Sequence, residues 1–316
     1  MTYRAVSARA CILAFAVALV LPGVAAIEPA AAGPTPCLAA PPRTASGYQA
    51  IADSRGSDFG VGDLMSMVPL PDGRNLFVFG DTAYAPVNGD GSRGALTGFG
   101  NNSMWVQNGA CFTLLDSPAG NRSVVVPAAD DGTVYWPGSA VVAGNRLHVF
   151  LTRTRLDNLF GTPLGSAVAT FELPSLELAR VASTPFSTDR VFGGGAVYDG
   201  GYLYTYASKR DNCQFCFAGD MFVARVREDL VAMPSAWQYY SAGSWASDPL
   251  ASTPVINDGM GNASVIAWRN GFLLVTKTFG IVAPDVDAWW APNPEGPWQK
   301  LGKVMDLPQP PPARIA

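Results

Sequence analysis

The chain has 316 residues, large for one average domain and small for two, a length that all-β barrels and propellers reach as a single unit. Charged residues make up 15% of it, against about 25% in an average protein, while 33 Gly and 26 Pro point to many tight turns. A net charge of -4 leaves no basic surplus for phosphates, and a single histidine, His148, excludes two-histidine metal motifs and leaves any Ser-His or Cys-His pair depending on that one residue.

At the start of the chain, Arg4 and Arg9 precede an unbroken apolar run from Ala10 to Leu21. Pro22-Gly23 then leads to the small residues Val24-Ala25-Ala26. Residues 1–26 read as a signal peptide for export. The run is short for ~30 Å of hydrocarbon, so no stable membrane insertion is expected after cleavage. Residues 27–46, rich in Ala and Pro, read as a linker. Cys11 leaves with the signal, and the four remaining cysteines suit an oxidising compartment. Three pairings are open. The favoured one joins Cys37 to Cys111 and Cys213 to Cys216, as a tie for the N-terminal arm and a local staple. The Cys213–Cys216 pair lacks the second ligand pair of a zinc site and the helical context of a redox motif.

From about residue 47 to 305 the chain repeats one hairpin four times. The copies pair Leu64–Leu70 with Leu76–Phe79, Gly138–Val142 with Leu147–Leu151, Gly195–Tyr198 with Leu203–Tyr206, and Ser264–Trp268 with Leu273–Thr276. The turns between them are Asp72-Gly73, Gly144-Asn145, Asp199-Gly200-Gly201 and Asn270-Gly271. A third apolar strand follows each copy, at Ser103–Val106, Ser166–Phe171, Met221–Val226 and Val286–Trp290. Radial repetition of four-stranded sheets is the β-propeller architecture, which leaves few exposed edges. A β-sandwich would not need the same hairpin four times. Residues 306–316 read as a Pro-rich tail.

Aligning the copies on Leu76, Leu147, Leu203 and Leu273 puts Asp81, Thr152, Ser208 and Thr278 at one strand end. Three copies carry a hydroxyl there and one a carboxylate, a break in repetition of the kind function imposes. Asp63 opens the first strand of the same blade, so the hairpin brings Asp63 and Asp81 out side by side. Two nearby acids are what glycoside hydrolysis requires, although both could equally cap turns. The basic residues Arg153, Lys209, Arg210 and Lys277 follow the same strand ends and could bind sugar hydroxyls. Trp136 could stack on a sugar face. His148 lies mid-strand and reads as structural. With no phosphate-cradling loop, nucleophile elbow or ligand cluster, no cofactor or metal is expected.

The stretch Gly62-Asp63-Leu64, Leu70-Pro71-Asp72-Gly73-Arg74 and Phe79-Gly80-Asp81-Thr82 resembles a family of secreted bacterial five-bladed propellers, related to endo-D-arabinanases. The likeness continues through Asn88–Arg93, Asn102-Ser103, Tyr135-Trp136-Pro137-Gly138 and Pro294–Trp298, over about residues 58–300. The resemblance implies a glycosidase that uses Asp63 and Asp81, with Asn102 in the substrate-binding set beside Trp136, Arg153, Lys209 and Lys277. It departs from the pattern at Ser139 and Ala263, near which the family carries acids. After Trp298 no further strand pair is evident, so either a fifth blade, in part supplied by Tyr48–Ile51, is incomplete or truncated, or the ring has four blades. The expectation is a secreted, monomeric all-β propeller acting on a polysaccharide. The rival is a glycan-binding or scaffold propeller without catalysis.

Overall fold

The computed structural model describes residues 37–48 except 45, 61–85 except 64 and 65, 92–115 except 93, 125–158, 161–209 except 186, 188 and 189, 218–278 and 284–307. The signal-peptide segment, Cys213, Cys216, Arg210 and residues 49–51 lie outside these. Strands β1 (Val61–Gly62), β2 (Ser66–Pro69), β3 (Asn75–Phe79), β4 (Thr82–Tyr84), β5 (Gly98–Gly100), β6 (Ser103–Asn108) and β7 (Cys111–Leu114) form the first blade. Four of them make an antiparallel sheet in the order β2-β3-β6-β7, and β1-β4-β5 make a separate ribbon at its end. The second blade is β8 (Val134–Ala143), β9 (Arg146–Arg155), β10 (Thr162–Glu172) and β11 (Glu177–Thr184). The third is β12 (Gly195–Asp199), β13 (Tyr202–Ser208), β14 (Ala218–Arg227) and β15 (Gln238–Ser241), extended by β16 (Ser244–Ala246). The fourth is β17 (Ile256–Trp268), β18 (Gly271–Thr278), β19 (Asp285–Ala291) and β20 (Gln299–Asp306).

The fold is a β-propeller, and the described residues build four blades, the third and fourth joined into one sheet where the start of β17 pairs with β14. Alternation along the strands explains why. In β9, Leu147, Val149 and Leu151 pack against Leu76, Val78 and Met104 of the first blade. Phe150, between them in sequence, points the other way and joins Leu203, Ala207 and Phe222 of the third. Tyr204, Tyr206 and Val223 repeat the arrangement against Phe272, Leu274 and Trp289 of the fourth. The central strands β3, β9 and β13 are buried on both faces, which is why the sequence shows near-continuous apolar runs there, whereas in β18 Phe272, Leu274 and Thr276 are buried and Leu273 and Val275 half-buried. Truncating one of these fully buried leucines to Ala costs about 2–5 kcal/mol.

Near the axis the first strands meet directly. The Ser139 N–H donates to the Gly193 carbonyl at 2.7 Å and the Ala263 N–H to the Gly194 carbonyl at 2.8 Å. Gly138 is obligatory there, because a Cβ would lie 2.2 Å from the Gly193 oxygen. The outer face of blade one is closed by the N-terminal arm. A Cys37–Cys111 disulfide ties that arm down, and Leu38 and Tyr48 cover Phe77, Phe79, Trp105 and Phe112. Tyr48 lies in helical backbone with Ser46 and Gly47 rather than in a blade strand.

Three expectations change. The fourth hairpin turns at Arg269-Asn270, because Trp268 pairs with Gly271. Gly271 serves the strand instead: a Cβ there would lie 2.3 Å from the Ala291 carbonyl oxygen. Counting from the hairpin pairs, Phe272 takes the place of Leu147 and Leu203, and Lys277, not Thr278, matches Thr152 and Ser208. The chain after Trp298 also forms a real strand, β20, along β19. Its Lys300 and Lys303 mark it as a charged edge strand, which hid it from a search for apolar runs. Finally, Leu76 and Val78 face the second blade while Leu147 faces the first, so the first copy runs one residue out of phase with its neighbour.

Candidate functional site

The break between the first blade's sheet and its ribbon creates the site. The Asp63 N–H donates to the Asp81 carbonyl at 3.1 Å, and the Gly80 N–H donates to the Asp63 carbonyl at 2.9 Å. Two residues therefore oppose one, as in a β-bulge, an irregularity that re-aims side chains. Thr82, buried next to the bulge, pins the chain through its hydroxyl, 3.0 Å from the Gly80 carbonyl and 2.8 Å from Ser103 Oγ. Asp81 then turns toward the second blade. Its Oδ1 accepts from Trp136 Nε1 at 2.8 Å and from Asn101 Nδ2 at 3.1 Å.

The two carboxyls sit in different electrostatic settings. Asp63 is pushed up to about 6 by desolvation and then by the negative charge of Asp81, against which the Asp81 backbone N–H works. The residue keeps an exposed edge, so this is a crowded carboxyl at the mouth of a site rather than a sealed one. Burial also raises Asp81, while the Asn101 and Trp136 hydrogen bonds hold it down. Because the charge of Asp81 is one cause of the rise at Asp63, the two carboxyls titrate as a coupled pair.

Of the residues singled out from the sequence, Asp63, Asp81 and Trp136 come together. Trp136 lies within β8, opposite Thr152, and its ring is edged by Gly161, where a Cβ would come within 2.8 Å. Its indole therefore orients Asp81 whatever else its ring face meets. Asn102 is 3% exposed, and its amide is used by the backbone: Nδ2 donates to the Val126 and Tyr135 carbonyls, and Oδ1 accepts from the Val126 N–H. It fixes the strand carrying Trp136 and has no group left for a sugar. Arg153 pairs with Tyr135 one strand position from Trp136, with Asp131 4.0 Å from its guanidinium. Lys209 and Lys277 stand at the corresponding strand ends of the third and fourth blades, Lys209 exposed and Lys277 half-buried. Ser139 gives its hydroxyl to the Gly193 carbonyl at 2.9 Å, and Ala263 brings no polar side chain, so neither supplies a further acid.

Asn101 escaped the sequence reading. Only its neighbour Asn102 was marked, and the signal that could have found it is its place between β5 and β6, facing the break between β3 and β4 that holds Asp81. His148 is fully buried, with Nε2 3.1 Å from Glu228 and Nδ1 3.2 Å from Thr170. Desolvation lowers its affinity for a proton, and it serves packing between the second and third blades. Among the described residues, no three His, Cys, Asp or Glu side chains gather as a metal site would require.

A family model described as Domain of unknown function (DUF5005) matches residues 48–314. The chain belongs to this family. No curated protein matches it. A solved structure from Bacteroides ovatus, provisionally named a hydrolase, superposes with a TM-score of 0.64 at 20% identity, covering 83% of this chain and 73% of that one. That likeness supports the propeller fold. A family-43 β-xylosidase/α-arabinofuranosidase from a compost metagenome, solved with xylotriose, gives 0.47 at 16% identity, covering 80% and 82%. A family-43 enzyme of Xanthomonas citri, also with xylotriose, gives 0.46 at 14%, covering 82% and 80%.

Proposed function

We propose that this chain is a secreted glycoside hydrolase that cuts a cell-wall or extracellular polysaccharide, with D-arabinan the first candidate. The observation that carries the reading is the Asp63–Asp81 pair, one carboxyl pushed up to about 6 and the other held by two hydrogen-bond donors. Glycosidic cleavage needs those two roles on either side of one bond. Asp63 protonates the leaving oxygen. Asp81 acts as nucleophile or activates water, its position fixed by Trp136 and Asn101. The choice of D-arabinan rests on the Gly62–Thr82 block, which resembles the block carrying two aspartates in endo-D-arabinanases. Export rests on the N-terminal sequence and is supported by the Cys37–Cys111 disulfide, a bond that persists in oxidising compartments.

A second reading, a propeller that binds glycan without cutting it, draws on Ser139 and Ala263, which leave the site with fewer acids than the resembling family. One experiment separates the two. The purified protein is incubated with arabinogalactan and a panel of neutral glycans beside Asp81→Asn, and new reducing ends are measured. Product from the native protein alone supports the hydrolase. No product from any glycan moves the reading to binding, and equal product from the variant removes Asp81 from the mechanism.

A further inference from the structure

Two adjoining clefts open on the third blade, at its hairpin end. One, of about 490 Å³, lies between Tyr202, Gln238, Trp245 and Ser247; the other, of about 600 Å³, between Tyr198, Tyr202 and Arg227. They share Tyr202 and Arg227 and so adjoin, and together they make up a trough on this face. Tyr202 opens β13, whereas Ser208, the counterpart of the catalytic rim, closes it. Six strand steps of 3.3 Å separate the trough from that rim by about 20 Å. This is a place apart from Asp63 and Asp81.

The rings in the trough are held in advance. The Arg225 guanidinium lies 4.5 Å from the Tyr202 ring centroid and 4.0 Å from that of Trp245, and its Nε donates to Gln238 Oε1 at 2.9 Å. Tyr204 and Tyr240 pack edge-on against Trp245, at 6.0 and 5.4 Å between centroids. Fixed aromatic rings bind with little loss of side-chain entropy. The charge of the trough is internally balanced: Arg227 is bidentate to Asp229 at 3.0 and 2.9 Å, and Glu228 is taken up by His148 and Arg146. Arg225 has rings and Gln238 rather than a carboxylate as partners, but it lines neither cleft, so a phosphate or an acidic polymer would find no unpaired cation among the lining residues. Tyr198 adds a ring that is 38% exposed at the far end.

We propose that this trough is an accessory binding site for a neutral polysaccharide chain, whose apolar sugar faces lie on Tyr198, Tyr202 and Trp245 while Ser247 and the balanced polar rim meet its hydroxyls. It rests on the glycosidase reading for the class of ligand, and it holds a polymer on the enzyme away from the site that cuts it. A volume of several hundred Å³ accommodates two or three sugar rings.

The test uses affinity electrophoresis through gels containing arabinogalactan, soluble arabinoxylan or no polysaccharide. It runs Asp81→Asn protein with and without Tyr202→Ala plus Trp245→Ala, with melting temperatures to confirm folding. Asp81→Asn protein is expected to be retarded by at least one polysaccharide, and the added pair to weaken that retardation about tenfold, the equivalent of 1.4 kcal/mol. Tyr198→Ala, at an exposed ring with little packing to lose, gives a smaller weakening in the same direction if the double variant does not fold. In otherwise native protein, the trough variants leave cleavage of short soluble oligosaccharides unchanged. Equal retardation with and without the trough residues overturns the proposal, as does the absence of retardation by either polysaccharide. Loss of retardation together with no hydrolysis of any glycan by the native protein leaves the trough standing and removes the catalytic reading instead.

Discussion

The first and second blades solve the same packing problem and end differently. In the second, β8, β9 and β10 run for 10, 10 and 11 residues; the ladders shift register between Pro137 and Ala140 and between Pro163 and Gly165, yet the strands continue, and Thr152, inside β9, keeps its pairs with Trp136 and Ser166. In the first, β3 stops after five residues at Phe79, and the chain breaks at Gly80-Asp81 before resuming as the β1-β4-β5 ribbon. The long strands give interlocked interfaces and nothing to react with. The broken ones bring two carboxyls to one backbone irregularity, where burial and mutual repulsion raise Asp63 to about 6. Like-charged neighbours at a bulge cost stability, so the first blade accepts strain in its electrostatics that the second avoids.

Substitutions sharpen this contrast, beginning with the largest effect. Asp81→Asn lowers hydrolysis about a thousandfold, within the range removed with a catalytic acid or base, while the melting temperature holds or rises. Asp63→Asn lowers hydrolysis about a hundredfold and abolishes the fall in rate above about pH 6 that marks the loss of a proton from the acid. The same variant reports on stability. Because folding raises Asp63 from 3.8 to about 6, its folded-state preference for the proton counts fully below pH 3.8 and is lost as pH rises through 6. Melting curves of Asp63→Asn and native protein therefore diverge in favour of the variant at pH 7 and converge at pH 4. Trp136→Phe keeps the ring and deletes the N–H to Asp81; the rate falls about tenfold and the acidic limb of the pH profile moves upward. The smallest effect comes from Ser208→Asp added to Asp81→Asn. A carboxylate at the regular strand end of the third blade restores no activity, which reducing-end assays read directly.

The propeller was legible because one apolar hairpin recurs four times, and its interfaces show why the strands are apolar. Leu147, Val149 and Leu151 facing one way and Phe150 the other is a pattern one strand long, and four hairpins repeat it. The slip in the fourth copy came from treating Asn270-Gly271 as turn chemistry, when Gly271 is fixed by its close approach to Ala291. Only the strand partner reveals that. Asp63 and Asp81 were legible as a pair because hairpin register is arithmetic. Asn101 and the orienting role of Trp136 were not, since they reach Asp81 from positions 20 and 55 residues away in sequence. Asn102 misled for the opposite reason: a conspicuous amide in a family block proved to be satisfied by Val126 and Tyr135 backbone.

The central claim is that blade one holds a coupled pair of acids, and carbon NMR of the aspartate carboxyls tests it without any substrate. Titrated in native protein and in Asp81→Asn, the Asp63 resonance is expected to shift with a midpoint near 6 in the first and lower in the second, since the charge of Asp81 is part of its cause. An Asp63 midpoint near the ordinary 3.8 in native protein, unmoved by the substitution, would contradict the account.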